Sequence, residues 1–118
     1  MDFDPSAWLP LKPETFHILL VLERGPLHGY GIIKDVEEET EGQIQLEPSP
    51  LYRRLKRLLD GGILNQTAPT SPTTDERRLY YALTDFGRRV LEAEAARITA
   101  LARNRTVKAL ANAAGRSS

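Results

Sequence analysis

Residues 49–62 read Ser49-Pro50-Leu51-Tyr52-Arg53-Arg54-Leu55-Lys56-Arg57-Leu58-Leu59-Asp60-Gly61-Gly62. Leu51, Leu55, Leu58 and Leu59 recur at i, i+4, i+7 and i+8, which lines them along one face of a helix. Ser49 is the expected N-cap, with Pro50 in the first turn, where a missing N–H carries no penalty. Gly61-Gly62 ends the helix. Opposite the leucines lie Arg53, Lys56 and Arg57, with Arg54 and Tyr52 on the flanks. Such a helix buries one side in a protein core and offers four cations on the other.

Upstream, Pro13 suits the first position of a helix over 13–24, with Phe16, Leu19 and Leu20 on its apolar face and Arg24-Gly25-Pro26 as its stop. A second helix begins near His28 or Gly29. Tyr30, Ile33 and Val36, with Ile32 beside them, form its expected buried face, and Gly42 ends it. Gln43-Ile44-Gln45-Leu46-Glu47 alternates and reads as a very short strand. Downstream, residues 63–67 and 78–83 read as two strands around the polar loop 68–76, a β-hairpin. Thr84 caps a long helix over 84–113, which holds eight alanines and no proline after residue 84. Residues 1–12 read as an arm and 114–118 as a frayed tail.

Three helices followed by a two-stranded wing is the order of a winged helix-turn-helix. The chain is therefore expected to be mainly α: a winged helix over 13–83 and a long C-terminal dimerisation helix over 84–113. In that architecture the third helix enters the DNA major groove. Charge placement agrees. The formal net charge is zero, yet residues 1–47 hold three basic side chains against ten acidic ones, while residues 48–118 hold thirteen against six. An asymmetry of this kind points toward a polyanion.

Composition narrows the alternatives. The chain has 118 residues and no cysteine, which excludes disulfide scaffolds, thiol catalysis and cysteine-ligated zinc. Two distant histidines without a ligand motif leave metal sites unsupported. Gly29-Tyr30-Gly31 lacks the third glycine and preceding strand of a nucleotide fingerprint. No catalytic set assembles, no cofactor is implied, and the protein is not expected to be an enzyme. No apolar run reaches the length of a membrane span, and Met1-Asp2-Phe3-Asp4-Pro5 is not a signal peptide, so the cytoplasm is the expected compartment.

Three segments carry a family resemblance: Gly25-Pro26-Leu27-His28-Gly29-Tyr30, Ser49 through Leu58, and Arg77-Arg78-Leu79-Tyr80-Tyr81-Ala82-Leu83-Thr84-Asp85-Phe86-Gly87. Over about residues 13–100 the chain resembles the PadR family of bacterial transcriptional regulators. The resemblance implies a winged-helix DNA-binding domain, a homodimer built by the C-terminal helix, and repression relieved by a small molecule. A winged-helix protein-interaction module is the alternative, since one fold serves both uses. Such a module has no need for Arg53, Lys56 and Arg57 on one exposed face.

The candidate DNA-binding residues are Ser49, Pro50, Tyr52, Arg53, Arg54, Lys56, Arg57, Arg77 and Arg78, facing a palindromic operator. Tyr52 either donates to a phosphate or packs only. Arg77 and Arg78 either meet phosphate or pair with Asp75 or Glu76. The candidate dimer seam is Leu91, Ala95, Ile98, Leu101 and Ala102; Leu91, Ala95, Ile98 and Ala102 recur at spacings of 4, 3 and 4, and the small residues let helices approach closely. Trp8 and Phe16 are the candidate walls of a pocket for a small aromatic effector at the dimer interface; a simply packed arm is the other reading of Trp8.

Overall fold

Proline opens the first and third helices, because each needs a residue with preset φ and no N–H to leave unpaired. Helix α1 (Pro13–Glu23) follows Lys12, and helix α3 (Pro48–Asp60) follows Glu47. The structure, a computed structural model, describes residues 4–67 and 79–117. Between these helices lie strand β1 (Leu27–His28) and helix α2 (Gly29–Glu39). Strands β2 (Leu64–Thr67) and β3 (Tyr80–Leu83), then helices α4 (Asp85–Ala102) and α5 (Arg105–Ser117), follow, and a short 3-10 turn over Pro5–Trp8 precedes α1. The wing loop 68–76, with Arg77 and Arg78, lies outside the described residues.

The core forms where α1, α2 and α3 meet the sheet. Ile18, Leu19 and Leu22 of α1, Ile32 and Val36 of α2, and Leu51, Leu55 and Leu58 of α3 are all buried there. Ile63, just before β2, Tyr81 of β3 and Val90 of α4 close it. Leu59, the edge of the leucine stripe, is only partly buried.

Several expectations are corrected. Helix α3 begins at Pro48, so Ser49 lies inside its first turn and is not the cap; Glu47 takes that place without a side-chain bond. The geometry of proline at the first position outweighs the capping preference of serine. Tyr30 is 68% exposed, and α2 buries Gly29, Ile32 and Val36 in its place. Residues 43–47 form no strand. Among the described residues no strand pairs with this stretch, and the Ile44 N–H donates to the Thr40 hydroxyl at 3.0 Å. The sheet has three strands in the order β1-β3-β2, all antiparallel. Strand β1, two residues long behind Pro26, is too short to show a period in sequence.

The C-terminal helix expected to be continuous is two helices. Arg103 caps α4, and the Asn104 side chain accepts the Val107 N–H at 3.1 Å as α5 begins. A cap-forming asparagine overrides the helix preference of the alanines around it. Helix α5 then runs on to Ser117, through most of the segment read as a tail.

One close approach fixes α4 on the wing. The Thr84 hydroxyl accepts the Gly87 N–H at 2.9 Å, capping the helix, while the Thr84 N–H donates to the Ile63 carbonyl at 3.1 Å. A Cβ at residue 87 would stand 2.1 Å from that same Ile63 oxygen. Backbone cannot swing aside as a side chain does, so Gly87→Ala is expected to destabilise the fold by about 1–3 kcal/mol or more. Denaturant unfolding checks this; a midpoint equal to wild type would contradict it.

Candidate nucleic-acid interface

Burying Leu51, Leu55 and Leu58 determines where every other side chain of α3 points. At about 100° per residue, Ser49, Arg53 and Lys56 fall near the centre of the outer face. Pro50, Arg54 and Arg57 fall on one flank and Tyr52 on the other. Ser49, Pro50, Tyr52, Arg53, Lys56 and Arg57 are all exposed, and Arg54 is partly buried.

The two flanks are built differently. On one, the Tyr52 ring rests on the start of α2, where a Cβ at residue 29 would come 2.4 Å from its hydroxyl oxygen. Glycine at residue 29 is what admits the ring. His28 caps α2, its Nδ1 accepting the Gly31 N–H at 3.0 Å, and Tyr30 stands exposed beside it. On the other flank, Arg54 Nη1 donates to the Thr15 hydroxyl at 2.8 Å, and its Nη2 lies 4.0 Å from Glu14. Arg54 thus links α3 to α1. Lys56 pairs with Asp60 at 3.3 Å, with both side chains in solvent, where such a pair contributes little.

Lys12, Pro50, Arg53, Arg54 and Arg57 surround a concavity of about 200 Å³. A second, of about 180 Å³, lies beside it, and Trp8, Pro10, Leu11 and Leu58 are among its walls. Trp8 packs against the end of α3: a Cβ at Gly61 would come 2.3 Å from the indole. Phe16 does not line that cavity and meets the His17 ring edge-on, with centroids 5.6 Å apart. Both aromatics are partly buried and pack against the core.

The arm is anchored by a residue that sequence reasoning missed. Glu94 of α4 is 1% exposed, and its Oε2 accepts the Leu11 N–H at 2.7 Å. Arg97 donates to both carboxylate oxygens. The Arg97 hydrogen bond, helped by the Leu11 N–H and opposed by burial, holds the Glu94 carboxyl below its ordinary value. The only sequence signal was an acid between two alanines on the otherwise apolar side of a helix.

Of the dimer seam, Leu91 is 5% exposed and belongs to the chain's own core. Ala95, Ile98, Leu101 and Ala102 are exposed, and Val107 and Leu110 of α5 continue the apolar surface. A concavity of about 330 Å³ opens between α1 and α4, with Leu20, Leu91 and Ala95 among its walls. The ion pairs Arg24–Glu39 and Arg88–Glu23, at 2.7 and 3.2 Å, also border it. No helix among the described residues is long and apolar enough to cross a membrane.

Three helices, a short antiparallel sheet and an outward basic third helix define a winged-helix DNA-binding fold. The sequence model of the transcriptional regulator PadR-like family matches residues 18–93, and the chain belongs to that family. Its members are transcriptional regulators and not enzymes. Among solved structures, the chain is similar to Bacillus subtilis PadR in complex with operator DNA, at 30% identity and a TM-score of 0.59, over 70% of this chain and 46% of that one. It is also similar to a PadR family regulator from Eggerthella lenta, at 30% identity and a TM-score of 0.58, over 71% and 72%. A PadR family regulator from Clostridium difficile shares the fold at 23% identity and a TM-score of 0.64, over 77% and 95%. No curated protein sequence matches the chain.

The Glu94 geometry carries a pH signature. A carboxylate held below its ordinary value of 4.5 stabilises the fold fully above that value and loses its contribution as pH falls through the lower, folded-state value. Wild type should exceed Glu94→Gln in stability at neutral pH, with the gap closing in the acid range below 4.5. Parallel stability curves from neutral pH into that range would refute the clasp.

Proposed function

We propose that the chain is a homodimeric, sequence-specific transcriptional repressor that sets α3 in the major groove of a palindromic operator. The carrying observation is the outer face of α3: Ser49, Arg53 and Lys56 at its centre, held outward by three leucines buried in the core. Arginine and lysine on such a helix match the acceptor pair of guanine in the major groove. Tyr52, Arg54 and Arg57, on the flanks, address the backbone, as do Arg77 and Arg78 of the wing in this reading. The complex of Bacillus subtilis PadR with operator DNA supports it by kinship. A bound dimer represses by occupying promoter DNA that transcription needs.

Helix α5 supports the dimer. Its side chains are exposed from Arg105 through Arg116, and an isolated helix of 13 residues is marginal in water. A second copy is the covering we assign to it, along Ala95, Ile98, Leu101, Ala102, Val107 and Leu110. Two-fold symmetry then sets the recognition helices about 34–36 Å apart, one turn of DNA. Relief by a small aromatic effector belongs to the same reading. Its place is the concavity between α1 and α4, whose wall residue Ala95 lies on the seam; Trp8, packed on Gly61, serves the arm.

Two outcomes test this. Replacing Arg53 and Lys56 together by alanine should weaken binding to a duplex selected from a random pool, by about 1–3 kcal/mol for each side chain that reads a base. Unchanged affinity with the fold intact would refute the assignment. Sedimentation should find a dimer at micromolar concentration, and Leu101→Glu should shift it to monomer. A wild-type monomer there would overturn the symmetric operator.

A further inference from the structure

The reading above leaves Lys12 without a role, although it stands among the cations of α3. Lys12 precedes the first turn of α1, yet it lines the concavity of about 200 Å³ together with Pro50, Arg53, Arg54 and Arg57. Lys12, Arg54 and Arg57 also border the adjoining concavity beside Trp8. Four cations from α3 and the arm thus converge on one groove, and no acidic side chain lines either concavity. Glu14 approaches only Arg54, at 4.0 Å. Among the described residues, Lys12, Arg53 and Arg57 take part in no ion pair. Arg53 and Arg57 are moreover four residues apart on one helix, where like charges repel. Positive charge gathered around one groove, with a single carboxylate near only Arg54, is a site for an anion.

The geometry of α3 says which anion. A helix in the major groove lies between two phosphate strands, one beside each flank. The Tyr52 flank, with Gly29 and the exposed Tyr30, faces one strand. The Arg54–Arg57 flank faces the other, and Lys12 is on that side. Arg54 is tied to Thr15 at 2.8 Å, so one guanidinium of the cluster is in place before DNA arrives. We infer that this concavity holds a backbone phosphate of the bound duplex, with Lys12 as a contact that is blind to sequence. The start of α1 then becomes a further DNA-binding element, beside the recognition helix and the wing. The arm that carries Lys12 is fastened to α4 through Leu11 and Glu94, so the same strap that meets the phosphate also touches the helix assigned to the dimer.

This inference rests on the DNA-binding reading, and one experiment separates their failures. Wild type, Lys12→Gln, Lys12→Arg and the Arg53/Lys56 double alanine variant are titrated against a mixed-sequence duplex of about three helical turns over a range of salt. Lys12 is exposed and makes no capping bond, so its variants should keep the wild-type unfolding midpoint. Lys12→Gln should bind more weakly on this duplex and on a selected operator by the same factor. Its slope of log affinity against log salt should be shallower by about 0.9 for each subunit, the value of one phosphate no longer neutralised. Lys12→Arg should restore both. A Lys12→Gln protein with wild-type affinity and slope, while the double variant loses binding, overturns the phosphate site and leaves the recognition helix standing. A loss confined to the selected operator overturns it too, because a phosphate contact reads no sequence. Wild type that binds neither duplex overturns the DNA-binding reading itself, and this inference with it.

Discussion

Everything outward on α3 is set by what is inward. Burying a leucine side chain contributes about 1.5–3 kcal/mol, and Leu51, Leu55 and Leu58 are each buried almost completely. Turning the helix by one residue, about 100°, would expose all three and bring an arginine toward the core. That rotation is forbidden by an energy far larger than any surface contact supplies. Orientation of the basic face is therefore a product of core packing, and DNA meets a surface already arranged.

Two attachments bring the rest of the chain to that helix. At one end, the approach of Gly87 to the Ile63 carbonyl fixes α4 against the sheet that follows α3. At the other, the arm runs from Trp8, packed on Gly61 at the end of α3, to Leu11, held by the buried Glu94 of α4. Helix α3 and the helix assigned to the dimer are thus joined twice, by backbone contact and by a strap. In the proposed dimer, a shift of α4 relative to its partner would have a path to α3 through either. Since only a ligand that favours one arrangement over another moves such an equilibrium, a concavity bordering α4 is where one would act.

The readable part of the sequence was the part where a single period decides the outcome. The stripe of Leu51, Leu55 and Leu58 located α3, its basic face and the winged helix around it. Where two local preferences compete, local sequence alone does not decide. Ser49 looked like a cap, but Pro48 had already begun the helix. The alanines of residues 93–113 argued for one helix, but Asn104 capped a second. Tyr30 satisfied the spacing of a buried face, while tertiary packing chose Ile32 and left the tyrosine in water. Glu94 and Lys12 were illegible for another reason. Their partners, Leu11 in one case and Arg53, Arg54 and Arg57 in the other, are distant in sequence, and no period records a contact of that kind.

Guanine methylation interference tests the central claim most directly. A methyl group on guanine N7 projects into the major groove, where α3 is assigned to read, and leaves the minor groove untouched. On a duplex selected by the protein, premethylation should block binding at guanines in two clusters about one helical turn apart, related by the operator's symmetry. Binding that tolerates N7 methylation throughout the protected region would contradict the placement of α3 in the major groove.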